Sequence, residues 1–328
     1  VTPPVRRMPA RPLGRTGLDV TTLGFGASGI GNLNYARPDG DAARAVSAAW
    51  HAGIRLFDTA PHYGLGLSER RLGSALRPYP RDEYVLSTKV GRLLRPNPAP
   101  TGSDLAAGGF DVPDDLARVW DFSADGVKRS LHDSLTRLGV DRIDIVYVHD
   151  PDHAVDDAIG HAIPALIALR DQGVIGAVGV GMNQWQAPLR MVRETDLDVV
   201  MLAGRYTLLD RAGEQLLDEC AGRGVAVVAA APFNSGILAR PWPPSSAHYD
   251  YGPASDPVLQ RARRLAETCR AHGVQLPAAA LQFPLLHPAV ASVVTGMGSA
   301  EHVEAAVSGS RSYVPAALWR AMRPVSTP

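Results

Sequence analysis

Four residues whose side chains can do acid–base chemistry stand just past short apolar runs. Asp58 follows IRLF, Tyr63 lies five residues later, Lys89 closes VLST and His149 closes IDIVYV. Together these types support proton transfer coupled to hydride transfer. A tyrosine has an ordinary pKa of about 10, too high for a base near neutral pH. A lysine ammonium beside it favours the phenolate. Asp58 would hold Lys89 charged and oriented, and His149 would hydrogen-bond the substrate oxygen and align its carbon. Proton transfer of this kind is worth ~10²–10⁴ in rate. Each residue taken alone has a plainer explanation. An Asp after a strand caps a turn, a Lys there is a surface charge, and a His there is a satisfied polar group. Four such types on three strands make chance a poor account of the set.

These residues need a scaffold that brings three strand ends together. Buried strands are expected at 21–25, 54–57, 84–88, 143–148, 175–180, 199–202, 225–230 and 291–294, after a tight hairpin at 13–20. Helices are expected at 41–51, 68–76, 123–138, 159–171, 185–194, 214–221 and 301–307. Asp41 and Ser68 are the expected caps of the first two, and Gly139 closes the third. Unbroken alternation favours a parallel sheet under covering helices. Eight units in 328 residues favour a closed (β/α)8 TIM barrel, whose active sites lie at the C-terminal ends of the strands. The reading is one barrel domain over 1–328, with 1–12 as a flexible tail. Two Pro- and Gly-rich segments, 91–121 after the third strand and 232–257 after the seventh, interrupt the rhythm on the active face. Segments this long are lids or disordered stretches.

Composition narrows the partners. Thirty-three basic and 33 acidic side chains balance, so nothing marks a nucleic-acid or anionic membrane surface. No apolar run reaches the ~18 residues of a transmembrane helix. The basic stretch at 1–12 lacks the apolar centre of a secretory signal. Cys220 and Cys269 form no disulfide framework, and the expected compartment is the cytoplasm. His149, Asp150, Asp152 and His153 look like a metal cluster, but Pro151 prevents the helical spacing that would align the two histidines, and no metal is expected. Oligomeric state is left open.

The stretches LGRTGLDVTTLGFG, FDTAPHYGLGLSERRLG, LSTKVG, DSLTRLGVDRIDIVYVHD, IGAVGVGMNQW and VASVVTGMGSAEHVEAAV resemble the aldo-keto reductase superfamily over nearly the whole chain. The resemblance implies a (β/α)8 barrel and a nicotinamide cofactor across its C-terminal rim. It implies Tyr63 as proton donor or acceptor, assisted by Lys89, Asp58 and His149, and Asn183 as ligand of the nicotinamide carboxamide. TAPHYGLGLSE, VWDFSADGVKRSL, LAGRYTLLD and APFNSGIL are most similar to the bacterial aldose 1-dehydrogenase branch, with pyridoxal dehydrogenases beside it. Two departures stand out. Ala203 replaces a frequent carboxamide-binding Gln, and after the seventh strand Phe233 is the aromatic nearest a position where a Tyr often stacks on nicotinamide.

The same resemblance assigns the cofactor to Gly26, Ala27, Phe233, Asn234, Ser235, Gly236 and Leu238, and to Gly296, Gly298, Ser299 and His302. Members that prefer NADPH carry Lys or Arg around the 2′-phosphate, where this chain has Gly298 and His302. NAD is therefore expected, with NADP possible. Gly24, Gly26 and Gly29 spell GxGxxG, but NLNYARPDG follows where a dinucleotide fold needs a helix. They read instead as close approach of the first loop to nicotinamide and substrate, with Ala27 and Ser28 lining the pocket, or else as a flexible turn. Trp120, Trp242 and Asp150 are further substrate candidates, and Trp185 fits either a pocket wall or helix packing. The expected reaction is NAD-dependent oxidation of an aldose at C1 to the lactone. Carbonyl reduction and pyridoxal-type alcohol oxidation are alternatives on the same tetrad. A Schiff-base lyase using Lys89 and a non-enzymatic cofactor-binding subunit are more distant ones.

Overall fold

A computed structural model describes residues 8–322. Eight parallel strands close a barrel: β1 (Leu23–Gly26), β2 (Leu56–Asp58), β3 (Val85–Val90), β4 (Ile143–His149), β5 (Ile175–Met182), β6 (Val199–Ala203), β7 (Ala226–Ala230) and β8 (Val290–Gly296). Each strand pairs with the next, and β8 pairs with β1. The helices that cover it are α1 (Asp39–His51), α2 (Leu67–Leu76), α3 (Ala124–Leu138), α4 (Ile163–Asp171), α5 (Gln186–Glu194), α6 (Glu214–Arg223), α7 (Asp256–Ala271), α8 (Leu276–Gln282) and α9 (Ala300–Arg311). Strand β4 shows why the runs read as continuously apolar. Ile145 and Tyr147 fill the barrel interior, while Val146 and Val148 meet the helices. Both faces of a parallel barrel strand are buried, so neither can be polar.

Several local expectations are corrected. The expected tail is divided: 1–7 lies outside the described residues, but Met8 is buried and Ala10–Pro12 pairs antiparallel with Asp19–Thr21. Residues 13–18 are therefore the turn of that hairpin. Leu13 and Val20 join the interior core and plug the barrel. Helix α1 begins at Asp39 after Pro38, so Asp41 sits in its first turn instead of capping it. Helix α2 follows Gly66 in the left-handed region, and Ser68 is a buried residue inside it. Ser123 does cap α3, accepting from Gly126 N at 3.0 Å, and Gly139 ends it. Ahead of α4, Ala158–Ala162 is a wider π-type turn.

Neither long segment is structureless. Arg92–Pro96 pairs antiparallel with Leu116–Trp120, and Leu94, Phe110 and Val112 form a small core with Leu65. The 232–257 segment holds a short ladder, His248–Tyr249 against Gly252–Pro253. Among the described residues no helix is long and apolar enough to cross a membrane.

Candidate active site

Asp58 ends β2, Lys89 lies in β3 and His149 ends β4, so neighbouring strands aim three of the four expected residues at one point. Lys89 is 2% exposed. Its ammonium donates to Asp58 Oδ2 at 2.7 Å, Asp58 Oδ1 at 2.9 Å and the Thr59 carbonyl at 2.9 Å. Ser87 adds a hydrogen bond to Asp58 Oδ1 at 2.7 Å. The fourth residue comes from the loop before α2. Tyr63 N–H donates to Ala60 O at 3.1 Å, and Tyr63 O accepts from Ser68 N–H at 3.2 Å. Ser68 Oγ donates to Ala27 O at 2.8 Å and contacts Thr59 Oγ1 at 2.8 Å. These contacts place the Tyr63 ring 4.9 Å from Lys89 Nζ and perpendicular to the His149 ring at 6.0 Å.

The electrostatics differ from the expected phenolate. Burial raises the Tyr63 phenol, Lys89 lowers it by charge and hydrogen bond, and Asp58 and Asp150 raise it again; the net direction is upward. Burial disfavours the Lys89 ammonium, but Asp58 and Tyr63 outweigh it and its pKa rises. Lys89 is thus a paired ammonium rather than a free amine, which opposes Schiff-base chemistry. Burial, then Arg92 and Lys89, hold His149 well below its usual range, so its imidazole is neutral.

Two groups around the tetrad carry no signal in the sequence. His62 packs its ring 5.7 Å from His149 and 5.3 Å from Phe110. Burial and the charges of Arg92, Arg118 and Lys89 push it down to about 2. Arg92, at the start of the hairpin after β3, pairs with Asp150 Oδ2 at 2.5 Å. Asp150 was an expected substrate residue. Trp120 was another, and its ring lies 4.4 Å from the Arg92 guanidinium carbon, 43% exposed. Trp242 instead faces Arg263 of α7 at 5.7 Å. Trp185 packs against the helix-side core.

The expected cofactor residues fall into three groups. Beside β8, a Cβ on Gly26 would come 2.9 Å from Thr295 O, and one on Gly29 would come 2.9 Å from Gly298 backbone atoms. Close approach in the GxGxxG run thus includes packing of the first loop against β8 and its turn. Ala27 is fully buried with its N–H on Asp58 O at 2.9 Å. Ser28 Oγ would lie 3.6 Å from a Cβ on Gly296, so it borders the β8 turn.

The second group follows β7. Asn234 is buried, its amide donating to Gly204 O at 2.9 Å and accepting from Thr207 Oγ1 at 2.6 Å. Leu238 is 0% exposed and Phe233 packs on the helix-side core. These three side chains make contacts within the protein, while Ser235 and Gly236 are exposed. An aromatic of the same segment, Tyr251, reaches Asn183, its hydroxyl donating to Asn183 Oδ1 at 3.1 Å.

The third group lies between β8 and α9. Gly296 is exposed, and Ser299 caps α9, accepting from His302 N–H at 3.4 Å. The positions expected to lack a cation have one beside them. A Cβ on Gly298 would come 2.7 Å from Arg37 Nε, and burial followed by Arg37 lowers the His302 pKa. Arg37 comes from the loop before α1, some 260 residues upstream, which alignment of 296–302 alone does not reach. Arg37 Nε is buried and without a hydrogen-bond partner. A helix N-terminus, side-chain-free glycines and a guanidinium form the donor set a dinucleotide phosphate requires. The residues fit that group.

Comparison with known proteins agrees with this geometry. The model of the aldo/keto reductase family matches residues 22–312. D-threo-aldose 1-dehydrogenase of a Pseudomonas species is 49% identical over 92% of this chain and 93% of its own. Pyridoxal 4-dehydrogenase of Microbacterium luteolum is 40% identical over 95% and 96%. An aldo-keto reductase from Bacillus halodurans, solved in its holo form, superposes with a TM-score of 0.76 at 28% identity, covering 96% of this chain and 95% of its own. The chain belongs to the aldo/keto reductase family and is an oxidoreductase that works with a nicotinamide cofactor.

Proposed function

We propose that this enzyme oxidises the cyclic form of an aldose at C1 to the lactone, with Tyr63 as the acid–base group. The observation that supports this most directly is the convergence of Tyr63, Lys89, Asp58 and His149 on one rim, with Asp150 and Arg92 beside them. When bound, the nicotinamide accepts the hydride leaving C1. The C1–H bond breaks, the hydroxyl proton passes to the Tyr63 oxygen, and the C1–O bond becomes a carbonyl. Lys89, kept charged by Asp58, stabilises the phenolate that must take that proton. His149, neutral, donates a hydrogen bond to the C1 oxygen of the sugar and fixes its direction. Holding both partners in line supplies much of the rate.

Asn183 would hold the carboxamide, and Gly296, Gly298, Ser299 and His302 the adenosine end. NAD is the proposed cofactor because neither residue 298 nor 302 carries a charge there. Arg37 keeps NADP accessible. The two cysteines, buried and unpaired, agree with a cytoplasmic enzyme.

The raised Tyr63 pKa favours a second reading, reduction of an aldehyde, since the protonated phenol is ready to donate. Initial rates at the reduced-nicotinamide absorbance separate the two. NAD and NADP are run against L-fucose, D-arabinose, L-galactose and pyridoxal, and NADH and NADPH against an aromatic aldehyde. Oxidation of a sugar, abolished in Tyr63→Phe, supports the aldose reading. Turnover of the aldehyde alone replaces it with the second.

A further inference from the structure

The paired charges beside the tetrad tune the Tyr63 and His149 protons, but neither side chain gives or takes the proton or hydride. We propose that Asp150 and Arg92 form a diol-reading clamp, Asp150 accepting from the hydroxyl next to the reacting carbon and Arg92 donating to the one after it. This rests on the aldose reading and names the substrate feature it needs.

Asp150 directly follows His149 and has φ +42°, a left-handed conformation that Asp, with its short polar side chain, adopts more readily than most non-glycine residues. Its N–H donates to Gly181 O at 3.0 Å. This geometry turns the carboxylate toward the tetrad: Oδ2 is 3.6 Å from His149 Nε2, the imidazole assigned to the C1 oxygen. The neighbouring hydroxyl of a sugar is about one hydrogen-bond length from that oxygen, which brings it to Asp150. An Arg92 terminal nitrogen also donates to Oδ2, at 2.5 Å, and Arg92 Nε is buried with no hydrogen-bond partner. A buried donor without a partner is an unmet demand that a substrate hydroxyl can satisfy. The exposed Trp120 ring against the same guanidinium offers a flat apolar wall for the C–H face of a pyranose. An aldehyde without hydroxyls would cover these charged groups and return no hydrogen bond, which a site of this type penalises.

The test is a cycle of substrates and variants. Wild type, Asp150→Asn, Arg92→Gln and Arg92→Lys are compared on L-fucose and its 2-deoxy analogue in oxidation. The same proteins are compared on glyceraldehyde and propanal in reduction. In wild type the hydroxylated member of each pair is favoured ~10–100-fold in kcat/KM, the range of one charge-assisted hydrogen bond. In Asp150→Asn and Arg92→Gln that ratio collapses to within about threefold, with Arg92→Lys between. A ratio kept in the variants, or absent in wild type on both pairs, overturns the clamp. Loss of sugar oxidation with the glyceraldehyde ratio intact and variant-sensitive overturns the aldose reading and keeps the clamp. Cofactor binding by fluorescence checks that each variant is folded. Because the quantity read is a ratio within one protein, a partial loss of stability leaves it unmoved.

Discussion

Replacing Gly64 by alanine tests whether backbone packing sets the position of the acid–base tyrosine. Gly64 has φ +60°, and a Cβ there would lie 2.2 Å from the Gly31 carbonyl oxygen. Ordinary contact begins near 3.4 Å, so the loop must move by about 1 Å, and Tyr63 is the adjacent residue. The left-handed conformation costs alanine about 1 kcal/mol, and overpacking adds about 1–3 kcal/mol. A 1 Å displacement of a reacting group costs ~10²-fold in rate. Gly17→Ala supplies the reference. Its φ is +77° with nothing within 4 Å of the new methyl, so it carries conformational strain alone. Thermal melts and kcat/KM are measured for both variants. The expected result is a larger melting loss for Gly64→Ala and a ~10²-fold fall in kcat/KM that Gly17→Ala does not share. If Gly64→Ala melts like Gly17→Ala and keeps kcat/KM within about threefold of wild type, the contact with Gly31 does not position Tyr63.

Other outcomes follow from the electrostatics. Because the Tyr63 pKa is raised above 10.0, log kcat/KM for sugar oxidation rises with a slope near one from about pH 7 to 9, while aldehyde reduction stays flat; a flat oxidation profile would exclude Tyr63 deprotonation as the limiting ionisation. The depressed His62 pKa means that the unfolded chain binds protons the native state refuses. Stability is therefore full above 6.5 and lost as pH falls toward about 2, by ~1.4 kcal/mol per pH unit for a single group. Melting temperature between pH 7.5 and 5 should drop less steeply in His62→Asn than in wild type, and parallel curves would remove His62 from this account. Arg37→Met should weaken NADP binding ~10–100-fold more than NAD binding, read by quenching of protein fluorescence. Equal effects on both cofactors would mean that Arg37 does not reach the 2′-phosphate.

The barrel and the tetrad were legible in the chain because both rest on local pattern. Strands buried on two faces must be apolar throughout, so β4 and β5 announce themselves. Polar residues closing such strands stand out, as Asp58, Lys89 and His149 do. Caps are less legible. Asp41 and Ser68 have cap-forming side chains, but the backbone conformations of Pro38 and Gly66 decide where α1 and α2 begin.

What the linear pattern does not carry is pairing between distant loops and the burial it creates. Arg92 meets Asp150, Arg37 meets Gly298 and Tyr251 meets Asn183 only when the segments after β3, β1 and β7 dock on the rim. The same docking commits the Asn234 amide to Gly204 and Thr207. The sign of the Tyr63 shift belongs here too. The chain names Lys89 as its neighbour, which lowers the pKa, but desolvation by the folded rim is larger and raises it. Residue type and spacing chose the chemistry, and three-dimensional enclosure chose the protonation states in which that chemistry starts.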